Sequence, residues 1–286
     1  MRPGFGLGWR KSVLEGPDHR PFLSRMSAVR TLPPLLKPDL TSFRGTRIDQ
    51  GGVGACWAFF LTRAVQLHLA ANHAQKNVLI SPRAAYWMER IEEFADDDPT
   101  LIPPMTDSGT DPLIGMRGIQ RVGVVSWDDC PYRDDVDLNC TAPPDDTWSY
   151  AYDFRGLDWA VVKETGAGRN DAVDQAMRDR IPFGFGMLVD QAFMYNSGQR
   201  ITSIDGGRLV GGHMLCGLAR VDSALIDQFE LEHARPGDVL FDNWWGDGSQ
   251  WGTRDGFGVM SPELFGSTWI DDVVLTKAVP LVQRES

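Results

Sequence analysis

From Trp57 onward the apolar residues Phe60, Leu61, Ala64, Val65, Leu67, Leu69 and Ala71 recur on and around a helical face, which predicts one long, largely buried helix that breaks by Asn77. In "SPRAAYWMERIEEFA" Ser81 stands as N-cap and Pro82 at the first helical position, the favoured order at a helix start. "DPLIGMRGIQRVGVV" predicts a third helix that ends near Gly123. Ahead of these, residues 1–40 carry Pro3, Pro17, Pro21, Pro33, Pro34 and Pro38 with little periodicity and read as an extended arm.

Beyond a Pro/Asp-rich link around 141–148 the pattern changes. "DWAVVKE", "IPFGFGMLV", "HMLCGLARV", "DVLFDNWW", "GFGVM" and "DDVVLTKAV" are short β-rich segments divided by Gly, Asp and Pro, with one helix-like segment, "NDAVDQAMRDR", between the first two. Helices first and strands afterwards predict an α+β chain, a helical lobe followed by a sheet or barrel lobe. The implied division is an arm over 1–40, a helical lobe over 41–150 and a β-rich lobe over 151–286.

Charge and composition narrow the function. A formal charge of -11 on 286 residues argues against a surface that neutralises phosphates, so nucleic acid is excluded as the main partner. No apolar run approaches the roughly 20 residues that span a bilayer, and the first 24 residues lack the apolar core of a secretory signal. A soluble chain is expected, cytoplasmic or part of a virion-like particle.

Cys56, Cys130, Cys140 and Cys216 are too few and too scattered for a disulfide scaffold, and none has zinc-type C-x-x-C spacing. Cys130 and Cys140 stand close enough in sequence to bridge, but a reducing compartment would keep them apart. Cys216, between Leu215 and Gly217 in a strand, reads as inert core. His68 and His73 lie five apart, the wrong spacing for a shared metal face, and His19 and His233 sit in polar surroundings that read as solvated. The acidic clusters "EEFADDDP" and "DDVD" read as exposed loop faces, with a weak calcium site as the sharper alternative. No metal or cofactor is implied.

One stretch asks for chemistry. "IDQGGVGACWAFFLTRAV" puts Cys56 at the mouth of the first long helix, where the positive end of the macrodipole favours thiolate over thiol. Downstream, "LVGGHMLCGLARV" places His213 at the entrance of a strand, and "VLFDNWWGDGSQWGTRDGFGVM" places Asn243 at the end of another. An imidazole beside a thiol can take its proton, and an amide can fix the ring without adding charge.

These residues, taken together, resemble the papain-like cysteine peptidases. Val53-Gly54-Ala55-Cys56-Trp57 matches all but the first cysteine of the C-G-[SA]-C-[WY] signature, and Gln50 has the family's six-residue spacing ahead of the nucleophile. Asn243-Trp244-Trp245-Gly246 is similar to the family's Asn-Ser-Trp-Gly, and "WGTRDGFGVM" resembles its Trp-Gly-x-x-Gly-Tyr strand. The similarity runs from about residue 40 to 275. It implies a two-lobe fold, a helical N-terminal lobe and an antiparallel barrel-like C-terminal lobe with the site in the cleft between them.

The resemblance further implies Cys56 as nucleophile, His213 as base and then acid, and Asn243 on the far ring nitrogen. Gln50 and the Cys56 N–H would bind the oxyanion, and Trp245 would cover the His–Asn contact. Gly109, in "DSGTDP", and Gly212, where many members carry a larger residue lining the main specificity pocket, join Trp245 as candidates for the substrate-binding groove. Val53 replaces a cysteine that usually bridges to the helical lobe, so that disulfide cannot form here. The arm is also far shorter than a lysosomal propeptide.

The implied activity is hydrolysis of a peptide or isopeptide bond through a thioester. The competing reading is a papain-like domain of lost or restricted activity within a larger assembly such as a phage particle, docked through residues 1–40. A transglutaminase-like acyltransferase would use the same thiol with an amine acceptor.

Overall fold

The computed structural model describes residues 7–12, 14–29, 32–76, 78–97, 106–148, 157–204, 207–246 and 251–277. The first half is helical. α1 (His19–Val29) lies in the arm, α2 (Cys56–His73) carries the predicted long helix, α3 (Pro82–Asp97) packs on α2, and α4 (Pro112–Val122) and the short α5 (Val136–Cys140) pack on α3. Every residue of α2 from Cys56 to Ala71 is buried, as its near-continuous apolar sequence requires. α4 starts where Asp111 accepts the N–H groups of Leu113 and Ile114 with Pro112 in the first turn, and ends at Gly123, as predicted.

The second half supplies six strands in the order β1-β6-β2-β3-β4-β5, every pair antiparallel. They are β1 (Asp158–Val161), β2 (Phe183–Asp190), β3 (Leu209–Arg220), β4 (Val239–Asp242), β5 (Phe257–Met260) and β6 (Ile270–Lys277). α6 (Gly166–Arg178) lies between β1 and β2. α2 rests on β2, β3 and β6. The approach is close: a side chain at Gly184 of β2 would meet the Phe60 ring at 2.5 Å. This contact joins the two halves and sets the start of α2 against the middle of β3.

The arm differs from the expectation of an extended segment, because residues 19–29 form a helix. Asp18 accepts the Arg20 N–H at 2.8 Å, Pro21 falls in the first turn, and Phe22 and Met26, four apart, bury one face. His19, read as solvated, is 5% exposed, with its Nδ1 3.4 Å from Glu164 Oε2. His233 is exposed and Cys216 is buried, as expected. All four cysteines are free thiols, so Cys130 and Cys140 are not bridged. Asp134, Asp135 and Asp137 are exposed, whereas the first acidic cluster is not the expected loop face: residues 92–97 belong to α3 with Glu92 buried, and Asp98 and Pro99 lie outside the described residues. Among the described residues, no group of three or more His, Cys, Asp or Glu is placed to hold a metal, and no helix is long and apolar enough to cross a membrane.

Candidate active site

The loop ahead of Cys56 is held from several sides. The Gln50 N–H donates to the Trp244 carbonyl at 2.8 Å, and the Tyr132 hydroxyl donates to the Gln50 carbonyl at 2.7 Å. Asp134 accepts the Gly52 N–H at 2.9 Å, and Asp107, itself bonded by the Tyr86 hydroxyl, accepts the Gly54 N–H at 2.6 Å. Gly51, at φ +57°, makes the turn. The Gln50 side-chain amide donates one bond to the Val53 carbonyl at 2.8 Å, which fixes its plane beside the first turn of α2. Cys56 is the first residue of that helix, so its own N–H belongs to the unpaired set at a helix start.

Across from this loop, His213 Nε2 lies 2.7 Å from Asn243 Oδ1. The same Oδ1 accepts the Trp244 N–H at 2.8 Å, which identifies that atom as the oxygen. The ring therefore carries its proton on Nε2, and Nδ1 keeps a lone pair with no hydrogen-bond partner among the described residues. Trp245 stacks on the imidazole with ring centroids 4.9 Å apart and planes 16° from parallel, and it is 1% exposed. The next residue of β3 after His213, Met214, gives its backbone N–H to the Cys56 sulfur. Met214's carbonyl in turn accepts the Trp244 indole N–H at 2.7 Å. Imidazole and amide thus meet from β3 and the end of β4, and the Cys56 sulfur at the start of α2 lies against the backbone of the next residue of β3.

No family model matches the sequence, and no curated protein matches it. Solved structures do. Xylellain, a cysteine protease from Xylella fastidiosa, is 21% identical with a TM-score of 0.71 over 98% of each chain. Procathepsin B S9 from Trypanosoma congolense is 13% identical with a TM-score of 0.66, covering 96% of this chain and 87% of that one. Bromelain from Ananas comosus, in complex with the inhibitor E64, is 16% identical with a TM-score of 0.57, covering 87% and 99%. The fold is that of the papain-like cysteine proteases.

On this papain-like frame, His213 contacts both Asn243 and Trp245, Gln50 is bonded to Val53 and Trp244, and the space beside Cys56 is filled by the chain's own arm. Residues 7–10 run between the two halves. The Trp9 N–H donates to the Gly212 carbonyl at 3.1 Å, the Thr110 N–H to the Gly8 carbonyl at 2.7 Å, and the Arg10 N–H to the Thr110 carbonyl at 3.0 Å. The residue whose backbone pairs in the cleft is Thr110, which sequence reasoning passed over for its neighbour Gly109. Gly109, at φ +64°, has the role of admitting the arm: a side chain there would meet the Gly8 carbonyl oxygen at 2.2 Å. Gly212 is equally tight, with a Cβ 2.1 Å from the Trp9 carbonyl oxygen.

The arm changes the electrostatics expected of Cys56. The Gly8 N–H bonds the sulfur, the cysteine is 0% exposed, and burial pushes its thiol up to about 12 despite the backbone donors and the helix start. Burial likewise holds His213 down at about 4, with the Asn243 bond working the other way. Desolvation outweighs a macrodipole that contributes about 1 kcal/mol or less in most settings. In the closed state the pair is neutral thiol and neutral imidazole.

Proposed function

We propose that this protein is a papain-like cysteine peptidase that cleaves peptide or isopeptide bonds and is held closed by its own N-terminal arm. The observation that carries the reading is the 2.7 Å His213–Asn243 bond, which points the free Nδ1 lone pair away from Asn243 and leaves it to accept the Cys56 proton.

With the arm displaced, water returns to the cleft and the ion pair becomes accessible. Cys56 Sγ attacks the substrate carbonyl carbon while its proton passes to His213 Nδ1. The carbonyl oxygen takes the electron pair and is stabilised by the Cys56 N–H and the second N–H of the Gln50 amide. As the tetrahedral species collapses, the C–N bond breaks and His213 returns the proton to the leaving amine. The thioester is then hydrolysed by water through the same two donors, with His213 again moving the proton. Asn243 holds the ring throughout, and Trp245 covers that bond from solvent.

An inactive scaffold within an assembly would not require this set of oriented donors, which supports activity over that alternative. Turnover of a fluorogenic peptide library by the full chain with a loosened arm tests the proposal. Activity lost in Cys56→Ala and His213→Ala is expected; turnover unchanged by Cys56→Ala would contradict it.

A further inference from the structure

The peptide unit between Val53 and Gly54 is gripped from both sides. Its carbonyl accepts the Gln50 side-chain amide at 2.8 Å and the Ala55 N–H at 2.8 Å, while its N–H donates to Asp107 Oδ2 at 2.6 Å. One rigid plane therefore links Asp107 to the side-chain amide of Gln50, and turning that plane over would take the acceptor away from Gln50. Gly54 admits the carboxylate, since a side chain there would meet Asp107 Oδ1 at 2.6 Å. The bonds from Tyr132 and to Asp134 hold the Gln50 backbone and the outer turn instead.

Asp107 is exposed, so its carboxylate needs an anchor, and α3 supplies one. The Tyr86 hydroxyl, on a ring that is 0% exposed, donates to Oδ1, the oxygen that Gly54 does not use. Arg90, buried one turn further along α3 and 5.3 Å from the Tyr86 ring centroid, donates to the carbonyl of Thr106, the residue before Asp107, at 2.9 Å. Burial and the Asp107 charge both push the Tyr86 phenol up, which keeps it a donor. All four cysteines are free thiols, so hydrogen bonds and not a disulfide tie the loop ahead of Cys56 to α3.

We propose that Asp107 is a positioning residue for the oxyanion site, holding the Gln50 amide in line through the Val53–Gly54 peptide, with Tyr86 fixing the carboxylate. This rests on the peptidase reading above. Asp107 touches no reacting atom and acts through Gln50. Its bond to the Gly54 N–H is charge-assisted, which makes it stronger than the neutral bonds elsewhere in the loop. Without it the peptide plane can rock, and the second N–H of Gln50 loses the aim that an oxyanion donor needs at the moment of reaction.

The test uses the full chain carrying Gly8→Ala, which unseats the arm, and a fluorogenic peptide at neutral pH. Asp107→Ala should lower kcat about tenfold or more with KM within about twofold. Asp107→Asn should stay within about threefold of its parent, because its oxygen can face the Gly54 N–H while its amide turns to the Tyr86 oxygen. In a Gln50→Ala background the Asp107→Ala loss should vanish, since two groups that act as one are not additive. The same loss with and without Gln50, or a loss that Asp107→Asn does not recover, overturns the proposal. A second measurement needs no turnover. Hydrogen exchange of the Gln50 side-chain amide is read by NMR in the full chain with Cys56→Ala and assigned by its absence in Gln50→Ala. It should quicken about tenfold in Asp107→Ala and return in Asp107→Asn. Exchange unmoved by Asp107→Ala overturns the proposal whether or not the protein cleaves peptides; exchange that responds in a chain with no turnover sustains it, and the peptidase reading alone fails.

Discussion

Arg63, two turns along the helix that begins with Cys56, pairs with Asp242, the residue before Asn243, at 2.7 Å, and both side chains are 0% exposed. Arg44 closes on the other side of the carboxylate at 2.8 Å, and Arg63 also donates to the Thr46 carbonyl at 2.8 Å. A buried charge pair thus ties the helix that starts at Cys56 to the strand that leads into Asn243. Neutralising Asp242 strands the buried Arg63, so Asp242→Asn should cost about 3–5 kcal/mol, and Arg63→Met should cost less because Arg44 still pairs with the carboxylate. Urea unfolding of the full chain measures it, and a loss within the range of a surface substitution would contradict the buried pairing.

Acid should weaken the fold through two histidines. Burial holds His213 at about 4 and His68 at about 3, both below the ordinary 6.5, so the unfolded chain binds protons that the folded chain refuses. Their contribution is complete above pH 6.5 and is lost as the pH falls toward 4 and then 3. His213 accounts for on the order of 3 kcal/mol across that window and His68 for on the order of 5. His68→Gln lies away from the site and should flatten the fall in melting temperature between pH 6.5 and 4.

The oxyanion donor can be isolated from folding. Gln50→Ala in a chain with a loosened arm should lower kcat by about 10²–10³ with little change in KM, since the amide serves the tetrahedral species more than the bound substrate. An equal loss in the thermal midpoint would mean the side chain is chiefly structural.

Gly8 gives a prediction of opposite sign. A Cβ there would lie 1.7 Å from the Gly54 carbonyl oxygen, a backbone atom of the anchored loop that cannot give way. Gly8→Ala should therefore unseat the arm and raise peptide turnover, where most substitutions beside a nucleophile lower it. Unchanged or reduced turnover, with the fold intact, would contradict this seating.

Much of the site was legible because its parts are local motifs. Gln50 to Trp57, His213 in an apolar strand and Asn243-Trp244-Trp245-Gly246 each declare themselves within a few residues, and α4 announced its end at Gly123. The rest depends on contacts across the chain. Thr110 pairs with the arm through its backbone, which no side chain advertises, and Asp107 holds Gly54 from 53 residues away. α1 hides among prolines because its apolar face is narrow, with Phe22 and Met26 as its buried apolar residues. Arm occupancy was least visible of all, since a Gly-Trp pair near a terminus carries no periodicity, yet it reverses the ionisation that Cys56's place at a helix start implies.

The most direct measurement is the rate at which an epoxysuccinyl probe labels Cys56, followed by intact mass and peptide mapping, in the full chain and in Gly8→Ala. With the thiol pushed up to about 12, labelling of the native chain should be slow and rise about tenfold per pH unit from pH 6 to 9. Gly8→Ala should give one adduct at Cys56, at least tenfold faster at pH 7, with the steep pH dependence gone and the adduct abolished by His213→Ala. Equal rates in the two chains, or labelling that ignores His213, would contradict a Cys56–His213 pair kept closed by the arm.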